Sequence, residues 1–156
     1  MCLRSERTSI LVNGSPTGEF EVQRGLRQGD PLSPFLFLIV MEGLHLMLHD
    51  YMNQNLIRGA SVGIQGIKIS HLLYADDVVI ISDWDKNSLD RIFEVFNDFY
   101  HFSGLKINVN KSNLYGLGVI DSEVDDNASD IGCLRGTFPF LYLGMPMGIN
   151  MNRISN

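Results

Sequence analysis

The chain has 156 residues, 45% of them apolar and 19% charged, and a formal net charge of −6. That length is one ordinary domain, and the apolar share is enough for a core. The acidity argues against a nucleic-acid partner, but five of the 18 acids crowd into "DSEVDDNASD" at 121–130, leaving 13 acids against 12 bases elsewhere. That segment reads as a solvated surface loop.

The first residues, "MCLRSERTS", hold no apolar run of the kind a signal peptide needs. Cys2 and Cys133 match no ligand spacing, and they read as reduced thiols of an intracellular protein. "TSILVNGSPTGEFEV" (8–22) predicts a strand, a turn at Asn13–Pro16 and a second strand. "QRGLRQGDPLSP" (23–34) is a Gly- and Pro-rich loop that ends in a helix start, with Ser33 as cap and Pro34 at the first helical position. The helix runs to about His49, with Gly43 a weak point inside it. Its apolar run "FLFLIVM" (35–41) reaches Leu48 only by taking in Glu42 and His45. It is too short and too polar to span a bilayer and reads as a buried helix, so no membrane is expected.

Residues 53–66 read as loop. "IKISHLLY" (67–74) and "VVIIS" (78–82) are two strands of high β-propensity, joined tightly through Ala75, Asp76 and Asp77. "NSLDRIFEVFNDFYHFSG" (87–104) is an amphipathic helix with Leu89, Ile92, Phe93, Phe96, Phe99 and Tyr100 at helical spacing, capped by Ser88 and stopped by Gly104. "LKINVNKS" (105–112) alternates like a strand, and "FPFLYLGMPMG" (138–148) suggests a strand or hairpin. No repeat or linker divides the chain. The order of elements gives an α+β fold, with helices on one face of an antiparallel sheet.

Asp76 and Asp77 are the residues most suggestive of chemistry. Hard cations such as Mg²⁺ take one or two carboxylates together with substrate phosphates and water. Two metals about 3.5–4 Å apart support in-line phosphoryl transfer. Asp is also common in turns for conformational reasons, so the pair by itself is either a polar hairpin tip or a metal ligand set.

The order and spacing of "GLRQGDPLSPFLF" (25–37), "HLLYADD" (71–77), "SGLKINVNKS" (103–112) and "FPFLYLGMPMG" (138–148) resemble the reverse transcriptase of non-LTR (LINE-type) retrotransposons, most closely those of plants. "SILVNGSPTGEF" resembles the segment that precedes the first of these motifs, so the likeness covers almost the whole chain. The resemblance implies that residues 1–156 are a partial polymerase palm with a ferredoxin-like antiparallel sheet, and that the inherited activity is RNA-directed DNA synthesis. It implies Mg²⁺, or Mn²⁺, as cofactor, and an RNA template, a DNA primer and a dNTP as partners of the intact enzyme.

By the same resemblance Asp76 ligates the catalytic metals and Asp77 assists as its acidic neighbour. Tyr74 and Ala75 lie beside the primer terminus, and Gln28 and Gly29 meet the incoming nucleotide and templating base. Glycine there allows close approach of the backbone. Arg24 and Arg27 either meet phosphates or are ordinary loop arginines. Asp30 organises the loop rather than binding metal. Lys111 either donates a proton to the leaving pyrophosphate or is a solvated lysine at a strand end. Tyr142, Leu143 and Gly144 form the primer-grip turn, although the aromatic ring could equally be core. His71 and the other histidines are expected to form no ligand cluster and to be structural or exposed.

The family's other metal-binding aspartate lies in an upstream motif resembling "AYDSV" or "AFDS", and nothing like it occurs here. The chain is therefore expected to lack the first palm strand, the fingers and the thumb. From this follow two further expectations, that the isolated chain is inactive and that its exposed sheet edge leaves it marginally stable. The alternative is a non-catalytic palm-like remnant or nucleic-acid-binding module. A palm-type nucleotidyl transferase of another kind, such as a cyclase, fits "RQGDPLSP" and "GLKIN" poorly.

Overall fold

The computed structural model describes residues 7–21, 26, 29–63 and 65–148. The first ribbon pairs β1 (Arg7–Thr8) with β4 (Phe20–Glu21) and β2 (Leu11–Val12) with β3 (Ser15–Pro16). Its turn needs two left-handed residues, and Asn13 (φ 51°) and Gly14 (φ 81°) are the types that adopt that backbone at least cost. The expected strand–turn–strand is present, and every described residue of the ribbon is exposed to solvent.

Helix α1 spans Ser33–Asn53, 21 residues, so it extends past the expected end at His49. Its cap is Leu32 rather than Ser33. The start is instead organised by Asp30, whose Oδ1 accepts from the Leu32 N–H at 2.8 Å and whose carbonyl accepts from the Ser33 N–H at 3.1 Å. The longer helix also corrects the expectation that this segment is too short for a bilayer, because by length and composition alone α1 could cross one. Nor is it a buried helix. Met41, Leu44 and Leu48 are buried, whereas Phe35, Leu38, Ile39 and Leu46 are exposed. The helix is apolar all round, and its neighbours cover one stripe only.

That stripe packs on α2 (Lys86–Ser103). Asp85, not Ser88, caps α2, accepting from the Ser88 N–H at 3.0 Å through Oδ1 and from the Ser88 hydroxyl at 2.6 Å through Oδ2. These bonds hold the Asp85 carboxyl below the usual carboxylate range. Gly104 (φ 74°) ends the helix as expected, its N–H reaching the Tyr100 carbonyl at 2.8 Å. The core joins Met41, Leu44, Leu48 and Ile57 to Ile92, Val95 and Phe99. Of the six apolar residues expected on the inner face of α2, Ile92 and Phe99 are buried, and Val95 joins them.

The segment expected as loop contains β5 (Ala60–Val62), paired antiparallel with β6 (Ile67–Ile69). A Cβ at Gly59 would collide with the backbone of Ile69 and Ser70, so only glycine permits this approach. The long strand expected over 67–74 is therefore split at Ser70. Its second part, β7 (His71–Tyr74), pairs antiparallel with β8 (Asp77–Ile80).

Two further expectations are corrected. Residues 105–112 do not form a strand but end in a 3-10 turn, Val109–Lys111, where the Ser112 hydroxyl donates to the Asn108 carbonyl at 3.0 Å. The acidic segment is not a loop but helix α3 (Asp121–Ile131). It buries Val124 and Ala128, one helical turn apart, and turns its carboxylates outward. Asp121 and Glu123 favour the first turn through the helix dipole. Glu123 also accepts from the Trp84 indole at 2.7 Å, and Arg135 reaches Asp121 at 2.8 Å and Asp125 at 3.0 Å. Helix α3 connects β9 (Asn113–Leu114) to β10 (Leu134–Arg135), which run parallel. The terminal hairpin, β11 (Phe140–Tyr142) with β12 (Met145–Met147), forms as expected.

The fold is thus α+β. Among the described residues its strands form six two-stranded ladders, five antiparallel and one parallel, rather than one sheet with helices on one face. Strands of two to four residues offer too few ladder bonds to recruit a third neighbour.

Candidate functional site

The β7–β8 hairpin pairs His71 with Ile80, Leu72 with Val79, Leu73 with Val78 and Tyr74 with Asp77. Directly opposed residues share a face and successive ones alternate. Leu73, Val78 and Ile80 pack against the α1–α2 core. Tyr74 and Asp77 therefore lie together on the opposite face, and Tyr74 is 61% exposed. The connection is two residues long, Ala75 and Asp76, so Asp77 belongs to the strand rather than to the turn. Ala75 holds φ 50°, a left-handed backbone that an L side chain enters at a cost.

Asp76 and Asp77 are both exposed. Among the described residues neither carboxylate makes a hydrogen bond or ion pair, so their oxygens are open to an external cation. The charge of Asp77 reaches Tyr142, where β11 enters its own turn. The Tyr142 hydroxyl is sealed from solvent and has no hydrogen-bond partner among the described residues. Burial first, and the Asp77 charge second, push this phenol above its ordinary value. Leu143 (φ 51°) and Gly144 (φ 79°) make the two-residue turn beside it.

The remaining expected residues are dispersed or undescribed. Lys111 is exposed at the end of the 3-10 turn, its N–H bonded to the Asn108 carbonyl at 3.0 Å. Gly29 holds φ 87°, and a Cβ there would meet no atom of the described residues within 4 Å, so among them conformation rather than crowding is what favours glycine at this position. Asp30, expected to organise the loop, bonds to Leu32 and Ser33 at the helix start. Arg24, Arg27 and Gln28 lie outside the described residues.

Two exposed carboxylates are hard oxygen donors of the kind Mg²⁺ or Mn²⁺ takes. Among the described residues no group of three His, Cys, Asp or Glu side chains is arranged to hold a metal ion. The pair therefore suits part of a ligand set that substrate phosphates and water would complete.

Sequence reasoning missed the support beneath this hairpin. On its core face the His71 Nε2 lies 2.7 Å from the His45 Nδ1 of α1, and the His71 Nδ1 lies 2.8 Å from the Ser70 hydroxyl. The His45 ring also stacks on His49, with centroids 5.9 Å apart. Burial first, and the neighbouring His45 and His49 second, push His71 below its ordinary value. The spacing of His45 and His49, four residues apart on a helix, was the available signal. The separation of 26 positions between His45 and His71 hid the rest.

Residues 2–147 match the family described as reverse transcriptase (RNA-dependent DNA polymerase). An uncharacterised mitochondrial protein of Arabidopsis thaliana is 37% identical over 70% of this chain, an alignment that takes in 88% of that protein. The Pol polyprotein of a type-1 R2 retrotransposable element of Popillia japonica is 33% identical over 89% of the chain, and that of a type-2 R2 element of Drosophila melanogaster is 31% identical over 88%. The chain spans only 17% and 13% of those two polyproteins. On this match of motif order, length and identity, the chain belongs to the reverse transcriptase family, in the branch carried by non-LTR retrotransposons.

Proposed function

We propose that the chain is palm sequence of an RNA-directed DNA polymerase, with Asp76 and Asp77 as its metal-holding carboxylates. The observation that carries this reading is the unpaired, exposed carboxylate pair on a hairpin seated on the core, in a chain of this family. A bound Mg²⁺ or Mn²⁺ would supply Lewis-acid stabilisation of charge on the reacting phosphate. Asp76 and Asp77 would hold that ion from the end of one ladder. Tyr74 and Ala75 offer an apolar surface beside the primer terminus. Gln28 and Gly29 meet the nucleotide and the templating base, and Arg24 and Arg27 bind phosphates. Lys111 gives a proton to the leaving pyrophosphate, and the Tyr142–Leu143–Gly144 turn holds the primer backbone. The substrates are an RNA template, a DNA primer and a dNTP.

One observation favours a second reading for the isolated chain. The described residues offer two carboxylates and no third donor. A pair of this kind binds metal weakly and supports nucleic-acid contact without turnover, as in a non-catalytic palm-like remnant.

Mn²⁺ titration followed by paramagnetic broadening of backbone amide signals tests the primary reading. Broadening should centre on residues 74–78 and weaken in Asp76→Asn. Changes to groups that only support a metal ligand cost about 10–100-fold in affinity, so losing a ligand should cost at least that. Broadening that is absent, or unchanged in Asp76→Asn, would remove Asp76 from its role.

A further inference from the structure

The geometry points to an acid-sensitive latch: the His45–His71 hydrogen bond holds the β7–β8 hairpin, and with it the Asp76–Asp77 tip, against α1, and double protonation of the pair releases it.

The argument starts from hydrogen-bond chemistry. At 2.7 Å, one ring nitrogen must supply the N–H and the other the lone pair. A neutral pair satisfies this, and so does a pair carrying one extra proton, because His71 can donate from Nε2 to His45 and from Nδ1 to the Ser70 hydroxyl at 2.8 Å. A second proton sets N–H against N–H and cation against cation. Among the described residues no acidic side chain figures in the charge felt by His71. From α1 the rings facing His71 are His45 and His49, and the helix's carboxylates, Glu42 and Asp50, are exposed, with Asp50 engaged by the Gln54 amide at 2.7 Å. From β8 the opposing residue is the apolar Ile80. The pair therefore resists its second proton, in keeping with the direction of the His71 shift.

The sign follows from linkage. The two rings accept protons freely when the hairpin is detached and only one readily when it is latched, so acid favours detachment. Stability from the latch is complete above the ordinary histidine range and falls away as pH drops through it. The latch sits on the core face of the same ladder whose far end carries the two aspartates. That its release would also disturb a metal site rests on the function proposed above.

Amide hydrogen exchange on the 156-residue chain between pH 7.5 and 5.5, corrected for intrinsic exchange, tests the latch. Opening of residues 71–80 should rise by up to about tenfold per pH unit for each proton taken up. The β11–β12 hairpin, which contains no histidine, should not respond. His71→Leu keeps an apolar core contact and cannot protonate, so it should flatten the response. Where His71→Leu does not fold, His45→Gln should do the same. An opening independent of pH, an equal rise in both hairpins, or a response that survives in the folded variants would overturn the latch. Mn²⁺ broadening at residues 74–78 at pH 7.5 reports separately on the metal reading, so either can fail without the other.

Discussion

Ala75 is where the backbone of the carboxylate hairpin is strained, and substitution there should order the hairpin's stability as Gly, then Ala, then Val. The residue holds φ 50° at the first position of a two-residue turn. For an L residue the left-handed region costs about 1–2 kcal/mol, which glycine avoids. Glycine returns about 0.4–1 kcal/mol of that through the greater freedom of its unfolded chain. Taken at the middle of both ranges, the net gain in Ala75→Gly is about 0.8 kcal/mol. In a domain of this length 1 kcal/mol moves the melting temperature by about 2–4 °C, so a rise of about 1–4 °C is expected. Ala75→Val adds a β-branched side chain to the same backbone and should destabilise by about 1–3 kcal/mol. Residue 75 is exposed, so neither change alters core packing. Urea unfolding gives the global effect, and amide exchange at residues 72–79 shows whether it is local to the hairpin. A Val variant as stable as the Gly variant would refute the assignment of strain to this residue.

Leu48, 1% exposed between the two long helices, should cost about 2–5 kcal/mol when replaced by Ala, measured by urea unfolding. Asp85→Ala should remove the α2 cap and cost about 1 kcal/mol. Because the Asp85 carboxyl is held below its ordinary value, that contribution is present above the unfolded carboxyl range and lost as pH falls through the folded value. The difference between wild type and Asp85→Ala should therefore shrink in acid, and a constant difference would contradict the capping role. The isolated chain should show no primer extension with Mg²⁺ or Mn²⁺, and template-dependent synthesis at the rate of an intact enzyme would refute the partial-ligand argument.

Some of this was legible in the sequence. The β7–β8 hairpin could be read because β-branched runs flank a short polar tip, and Gly104 because a left-handed stop has few substitutes. Helix α3 could not, because five acids obscured the Val124–Ala128 spacing that buries it. The α2 cap was misplaced because Asp85 and Ser88 are both capping residues, and only their mutual bonds decide between them. Residues 105–112 alternate in polarity, yet local bonds to Asn108 and Val109 take the backbone groups that a ladder would need. The histidine contact could not be read at all, since it joins two elements whose apposition depends on the packing of α1 against β7. The site shows the same division: the aspartates were visible as neighbours in sequence, whereas the approach of Tyr142 to Asp77 required the third dimension.

The six separate ladders have a consequence for how the molecule comes apart. In a continuous sheet each strand is held from both sides, and opening one means breaking its neighbours' bonds. Here, among the described residues, β7 and β8 form a ladder only with each other, so the hairpin can open as a unit of its own. Its lifetime is then governed by the surface beneath it, where Leu73, Val78 and Ile80 meet the helices and His71 meets His45. The tip bearing Asp76 and Asp77 keeps its shape for as long as that contact lasts, whatever happens to the other five ladders.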